Sequence, residues 1–146
     1  MLRPDSAKRG PAVPDFLSGL LAFAVYFAGA VGFCAVYCLV YTRVTRHDEF
    51  ALIVEEQSAS AAIAFGGSLL GFAIALAGAI HHTGSIPEFA MWGFVALMTQ
   101  LIAYALARLA YSGLSRAIEE NVLAAAIWVA AVSVSAGLLS AACMSP

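Results

Sequence analysis

Four uninterrupted apolar runs, Phe16 to Thr42, Ala59 to Ile80, Phe89 to Ala107 and Val122 to Met144, decide most of what this chain can fold into. Crossing the hydrocarbon core of a bilayer takes about 20 helical residues, with a range of about 17–25. All four runs meet that length, and the first is long enough to tilt or to extend into the headgroups. In lipid every backbone polar group must be satisfied within the protein, so runs this uniform can only be helices. Strands of a membrane barrel alternate polar and apolar residues over about ten positions, and no segment here does. Of the 146 residues, 62% are hydrophobic and only 11% charged, against about 45–50% and about 25% in soluble domains. The sequence therefore predicts an all-α integral membrane four-helix bundle, with helices over about 16–42, 59–80, 88–110 and 122–144. Its solvent partner is the lipid bilayer. A net charge of −2, without a basic cluster or an aromatic RNA-binding motif, sets nucleic acid aside.

The segment ahead of the first run carries Arg3, Lys8 and Arg9 and resembles the start of a signal peptide. A signal core is only about 7–15 residues long, however, so the first helix is expected to be retained. The tail over 1–14, with Pro4, Gly10, Pro11 and Pro14, is expected to be disordered, and the membrane domain to occupy 15–146.

Two long connections and one short one join the runs. The loop from Arg43 to Ser58 holds Arg43, Arg46, His47, Asp48, Glu49, Glu55 and Glu56. Within it Phe50, Ile53 and Val54 have the i, i+3, i+4 spacing of a short interfacial helix. The loop from Arg108 to Asn121 repeats the design, with Leu114 and Ile118 four apart and Arg108, Arg116, Glu119 and Glu120 around them. The turn from His81 to Glu88 has no lysine or arginine. Four arginines thus flank the long loops, and the positive-inside rule places those loops in the cytoplasm and both termini in the periplasm. An internal echo accompanies this. Val54-Glu55-Glu56-Gln57 matches Ile118-Glu119-Glu120-Asn121, and Ala61-Ala62-Ile63 matches Ala125-Ala126-Ile127 at the same offset. A duplication of this kind makes two tandem hairpins, an internal parallel repeat about an axis along the membrane normal.

Small residues mark the packing faces. Gly67, Gly71, Ala75 and Ala79 fall four apart on the second run, Ser133, Gly137 and Ala141 on the fourth, and Ala24, Ala28 and Gly32 on the first. Lipid tails offer no hydrophobic drive between helices, so close backbone approach along such faces is what holds helices together. Helix packing at Gly67, Gly71, Ala75, Gly137 and Ala141 is the expected basis of the fold and of any homo-oligomer.

The chemistry-bearing residues are few. His81 and His82 end the second helix, where the dipole favours a cation, and Glu88 opens the third, where it favours an acid. Ser85 and Glu88 have capping-box spacing, and Asp15 stands before the first helix as Glu88 does before the third. Adjacent helical residues point about 100° apart, so the two histidines cannot chelate one metal as an i, i+4 pair can. Helix-end electrostatics and a weak metal or proton site on His81, His82, Glu88 and Asp15 both remain open readings. Ser68 follows two glycines, but His81 lies about 20 Å further along the same helix, too far for the contact of about 3 Å that a nucleophile and base need. Thr99 and Gln100 interrupt the third run at mid-membrane, and either bridge helices or line a polar path. Gln100 shares a stripe with Trp92, Ala96 and Tyr104. Arg108 sits near a helix end and can snorkel. Cys34, Cys38 and Cys143 form no metal or disulfide pattern. No catalytic residue, resident metal or cofactor is indicated.

Five stretches carry a family resemblance: "YTRVTRHDEFALI" from Tyr41, "GGSLLGFAIALAGAI" from Gly66, "WGFVALMTQL" from Trp92, "LSRAIEENVLAAAI" from Leu114 and "AACM" ending at Met144. Together they resemble the YjfL-type (UPF0719-like) family of uncharacterised bacterial inner membrane proteins, over nearly everything after Phe16. The chain departs from that pattern at Arg46, Ala75 and Ser140. The resemblance implies an inner-membrane location and transfers no functional residue. Through the family's gene neighbours it implies a PspA-like cytoplasmic protein partner and an envelope-stress setting. The expected function is that of a small non-catalytic membrane protein acting through helix packing or assembly, with its charged loops (Arg43, Arg46, Asp48, Glu49, Arg116, Glu119, Glu120) available to that partner. The competing class is an ion or small-solute channel or transporter component.

Overall fold

The computed structural model describes residues 13–45 and 49–144, without the side chains of the first three. The tail up to residue 12 and Arg46, His47 and Asp48 therefore lie outside the described residues, as does the side chain of Asp15. The described chain is helical: α1 Val13–Val44, α2 Glu49–Val54, α3 Ala59–His82, α4 Ile86–Ala110, α5 Leu114–Glu119 and α6 Leu123–Cys143. Four of these, α1, α3, α4 and α6, are long and apolar enough to cross a membrane.

Local chemistry explains the boundaries. The Ser58 hydroxyl caps α3 by accepting from the Ala61 N–H at 3.2 Å. Ser85 caps α4 in the same way through the Glu88 N–H, with Pro87 in the first turn, where a missing N–H costs nothing. The turn between α3 and α4 is short, so those helices are antiparallel neighbours. α1 and α4 run toward the face that carries α2 and α5, the loop face, and α3 and α6 run away from it toward the turn face. α3 and α6 are therefore parallel, and they share the most extensive contact in the bundle.

α4 lies across both, and α1 leans on α3 and α4 with little of its surface covered: 6% of its spanning window is buried, against 39% for α3 and α4. Lipid covers the rest at no hydrophobic cost. α1 makes its contacts with aromatic rings. Tyr26 and Phe33 meet Phe89 edge-on at 5.5 and 5.8 Å, Tyr37 stacks on Phe72 at 4.7 Å, and Tyr41 meets Tyr104 at 5.3 Å. This corrects the expectation for Ala24, Ala28 and Gly32. That stripe faces outward, with nothing within 4 Å of a Cβ placed on Gly32. Tyr26, Phe33, Tyr37 and Tyr41 share a different face of the helix and present it to the bundle.

α2 is a short helix, as the spacing of Phe50, Ile53 and Val54 predicts. Leu52 is buried and Ile53 half-buried, while Phe50 and Val54 are exposed at 53% and 71%. The helix is rolled so that Glu49 and Leu52 point inward, and Phe50 keeps only an edge contact with Phe65. α5 seats Leu114 and Ile118, both fully buried. The two halves share an unusual backbone feature. Gln57 and Asn121, equivalent in the internal echo, both adopt positive φ, 52° and 57°.

Candidate functional site

The α3–α6 seam brings two backbones into contact. A Cβ on Gly67 would collide with the Ala130 methyl and stand 2.7 Å from Ala130 Cα. A Cβ on Gly71 would strike the Ser133 carbonyl oxygen and lie 2.6 Å from Gln100 Nε2. One on Gly137 would strike the Gly71 carbonyl oxygen, with Gly71 Cα at 2.9 Å. Ala75 is fully buried on the same face. Ala141 meets Gly78, whose added Cβ would lie 2.7 Å from Ala141 Cα. Gly78 was missed by the sequence reading, although it falls seven residues after Gly71 and so shares its face. By contrast Gly66, next to Gly67, has open space around it.

Above and beside the seam lies a buried polar cluster. The Gln100 amide is 1% exposed, and its Nε2 donates to the Ser133 carbonyl at 3.0 Å, tying α4 to α6. Ser133 Oγ lies 3.3 Å from Ser68 Oγ, which donates to Tyr41 OH at 3.5 Å. Four helices thus meet through hydrogen bonds centred on Ser133, whose carbonyl accepts from Gln100 and whose hydroxyl pairs with that of Ser68. Glu49, fully buried, sits within electrostatic reach of Tyr37, Tyr41 and Tyr104. The buried polar residues Thr45, Glu49, Ser58, Ser60, Ser68, Gln100 and Ser133 all lie between the loop face and mid-membrane. Ser68, the deepest on α3, is about 14 Å below that helix's start at about 1.5 Å per residue. From there to the turn face the core is apolar: Phe72, Ala75, Leu76, Ala79, Phe89 and Leu97. Ser68 has the Tyr41 and Ser133 hydroxyls as partners among the described residues, so the cluster offers hydrogen-bond exchange.

Thr99 does not join Gln100. Its hydroxyl donates back to the Val95 carbonyl at 2.9 Å, and it faces an outer groove of about 370 Å³ between α4 and α6. Adjacent positions on a helix point about 100° apart. The stripe through Gln100 also loses one member to lipid: Ala96 and Tyr104 are buried, but Trp92 is 37% exposed.

At the turn face His81 and His82 are exposed, with their rings edge to face at 4.8 Å. Glu88 Oε2 accepts from the Gly84 N–H at 3.2 Å. Among the described residues no three His, Cys, Asp or Glu side chains gather as a metal-binding group. Cys34, Cys38 and Cys143 are free thiols. At the loop face Arg43, Arg116, Glu119 and Glu120 are exposed, and Arg116 Nε donates to Glu120 Oε1 at 2.8 Å. Glu49 differs from these charges in being enclosed by the bundle, because α2 turns it inward. Arg46 and Asp48 lie outside the described residues.

Residues 15–144 match the family described as Domain of Unknown Function (DUF350). Over 129 residues the chain is 36% identical to the UPF0719 inner membrane protein YjfL of Escherichia coli strain K12, covering 88% of this chain and 97% of the relative. The protein of that name from Escherichia coli O157:H7 matches to the same extent. No solved structure matches the chain.

Proposed function

We propose a function from one premise: this chain belongs to the DUF350 family and, like its relatives, is a multi-pass inner membrane protein. On that premise it is a non-catalytic scaffold. Its helix packing holds a rigid span, and its loop face, turned to the cytoplasm, is a docking surface for a protein partner. The observation that carries this reading is the α3–α6 seam, where Gly71 and Gly137 put one backbone against the other and Gln100 braces the crossing. Exposed Arg43, Arg116, Glu119 and Glu120 on one face support the docking role. A conducting pathway needs polar groups from face to face, and the buried residues between Gln100 and the turn face are apolar.

The test is flux. The protein reconstituted in liposomes is expected to pass no more protons or cations than protein-free vesicles. Gln100→Leu is expected to lower stability by no more than about 1.7 kcal/mol, the upper end for membrane hydrogen bonds, and to leave flux unchanged. Flux in the parent that falls in a folded Gln100→Leu protein would favour the channel or transporter reading. That reading is supported by the Tyr41–Ser68–Ser133 hydroxyl chain.

Orientation is checked with single cysteines at Gly84 and Ser112 in a background lacking Cys34, Cys38 and Cys143. Ser112 is exposed, whereas the Ser115 hydroxyl is enclosed and would label poorly. An impermeant maleimide added to spheroplasts is expected to modify the cysteine at position 84 and not the one at 112, because the arginines lie on the loop side. The reverse pattern would turn the protein over.

A further inference from the structure

Two grooves meet at Arg108, near the loop-side end of α4. This arginine is half-buried, and no carboxylate among the described residues forms an ion pair with it. On its loop side a polar groove of about 340 Å³ is walled by Arg108, Gly113, Ser115, Arg116 and Glu119. On its membrane side an apolar groove of about 350 Å³ runs between the ends of α1 and α4, along Val44, Tyr104, Ala105 and Leu109, with Arg108 on the shared rim. Val44 and Leu109 are exposed, so this second groove opens outward to the acyl chains. Volumes of about 300–1,000 Å³ are those of small-molecule clefts.

The charges in the polar groove sort themselves. Arg116 is held by Glu120 at 2.8 Å and its side chain is 82% exposed, so that pair is satisfied in water. Arg108 forms no ion pair with a described residue, and Glu119, which is also within electrostatic reach of Arg116, adds an anion to the same groove. A guanidinium presents a fork of donors matched to two phosphate oxygens, and at this depth it reaches for the headgroup layer. Basic pockets at the membrane interface hold lipid headgroups for this reason. A carboxylate lining the same groove repels a second anion and attracts an amine. The apolar groove below leaves room for an acyl chain in line with the headgroup.

We propose that this junction binds one zwitterionic aminophospholipid, its phosphodiester on Arg108, its ammonium toward Glu119 and an acyl chain in the groove between α1 and α4. The experiment is native mass spectrometry of the delipidated full chain in detergent. The probes are equimolar phosphatidylethanolamine, phosphatidylglycerol and phosphatidylcholine. The parent is expected to retain phosphatidylethanolamine preferentially. Arg108→Gln is expected to cut that retention roughly tenfold, as befits a lost charged hydrogen bond, with Arg108→Lys in between because it keeps the charge and loses the fork. Glu119→Gln is expected to abolish the preference over phosphatidylglycerol while retaining phospholipid. Arg43→Gln, at a loop-side arginine that lines neither groove, is expected to change nothing. Equal retention of the three lipids by the parent, a preference for phosphatidylglycerol, or an equal loss in Arg43→Gln would each overturn the proposal. Unchanged thermal unfolding of these variants separates lipid loss from misfolding.

Discussion

Gly71→Leu is expected to be the most damaging single substitution in the α3–α6 seam, with a loss beyond the usual range for an overpacked core of about 1–3 kcal/mol. The reason is that the obstacle is backbone. A Cβ at position 71 meets the Ser133 carbonyl group, its carbon at 2.5 Å, and Gln100 Nε2 at 2.6 Å. No rotamer change relieves a clash with a main-chain carbonyl, so α6 must move away from α3. That movement separates Gly137 from Gly71 and pulls Ser133 from Gln100. Gly71→Ala tests the same contact with one carbon and is expected to cost a substantial part of the loss. Gly66→Leu is the internal control, since nothing lies within 4 Å of its Cβ position. A glycine-to-leucine change in an unobstructed helix is expected to be neutral or mildly stabilising, because glycine is unfavourable there by about 1 kcal/mol. Thermal unfolding in detergent, followed by far-ultraviolet circular dichroism, reads both. If the 66 and 71 variants melt together, the seam is not what holds α3 to α6.

Asn121→Leu is expected to have the second largest effect, through a residue outside the membrane. Asn121 precedes α6 in sequence, yet its Oδ1 accepts from the Ser60 N–H at 3.0 Å and from the Ser58 hydroxyl at 3.2 Å. It thereby satisfies a free backbone donor at the start of α3, a role worth about 0.5–2 kcal/mol when a capping side chain is lost. Its own φ of 57° is left-handed, which costs a non-glycine residue about 1–3 kcal/mol unless its side chain offsets it, as asparagine's does. Leucine loses both contributions. Asn121→Gly loses the cap and keeps the backbone freedom, so stability is expected to fall in the order parent, Asn121→Gly, Asn121→Leu. Equilibrium unfolding would expose an error in either part: equal losses in the two variants remove the backbone contribution, and a parent-like Asn121→Gly removes the cap. Gln57, the counterpart of Asn121, shares the positive φ, but α6 begins at Val122 without a side-chain cap. Gln57 and Asn121 thus share a backbone conformation, while the side-chain link to the start of α3 is made by Asn121.

How much of this was legible depends on how local the cause is. The four spans follow from run length and apolar content, properties of a segment alone, and the ends at Ser58 and Ser85 follow from side chains three residues from the donors they satisfy. The candidate site was legible only in part. Gln100 stood out because an amide in an apolar run needs a partner, but Ser133 as that partner is a contact between residues far apart in the chain. Glu49 read as one more loop charge, because the roll of α2 that buries it is set by what Leu52 packs against. Gly113 and Ser115 join Arg108 in one groove only once the chain has turned after α4 and α5 has packed against α3 and α6.

The sequence by itself determined that this chain spans the membrane four times, where each span lies and which connections carry charge, because helix formation in lipid is enforced by the backbone's own hydrogen bonds. Which face of each helix meets protein was decided only by the tertiary structure. In water an apolar stripe announces the buried side; here every face of α1, α3 and α6 is apolar, and lipid covers any of them equally well. Shape then chooses. Gly71 is seated against Ser133, whereas Gly32, an equally small residue on an equally apolar helix, faces the lipid because the rings of Tyr26, Phe33 and Tyr37 had already turned α1 the other way.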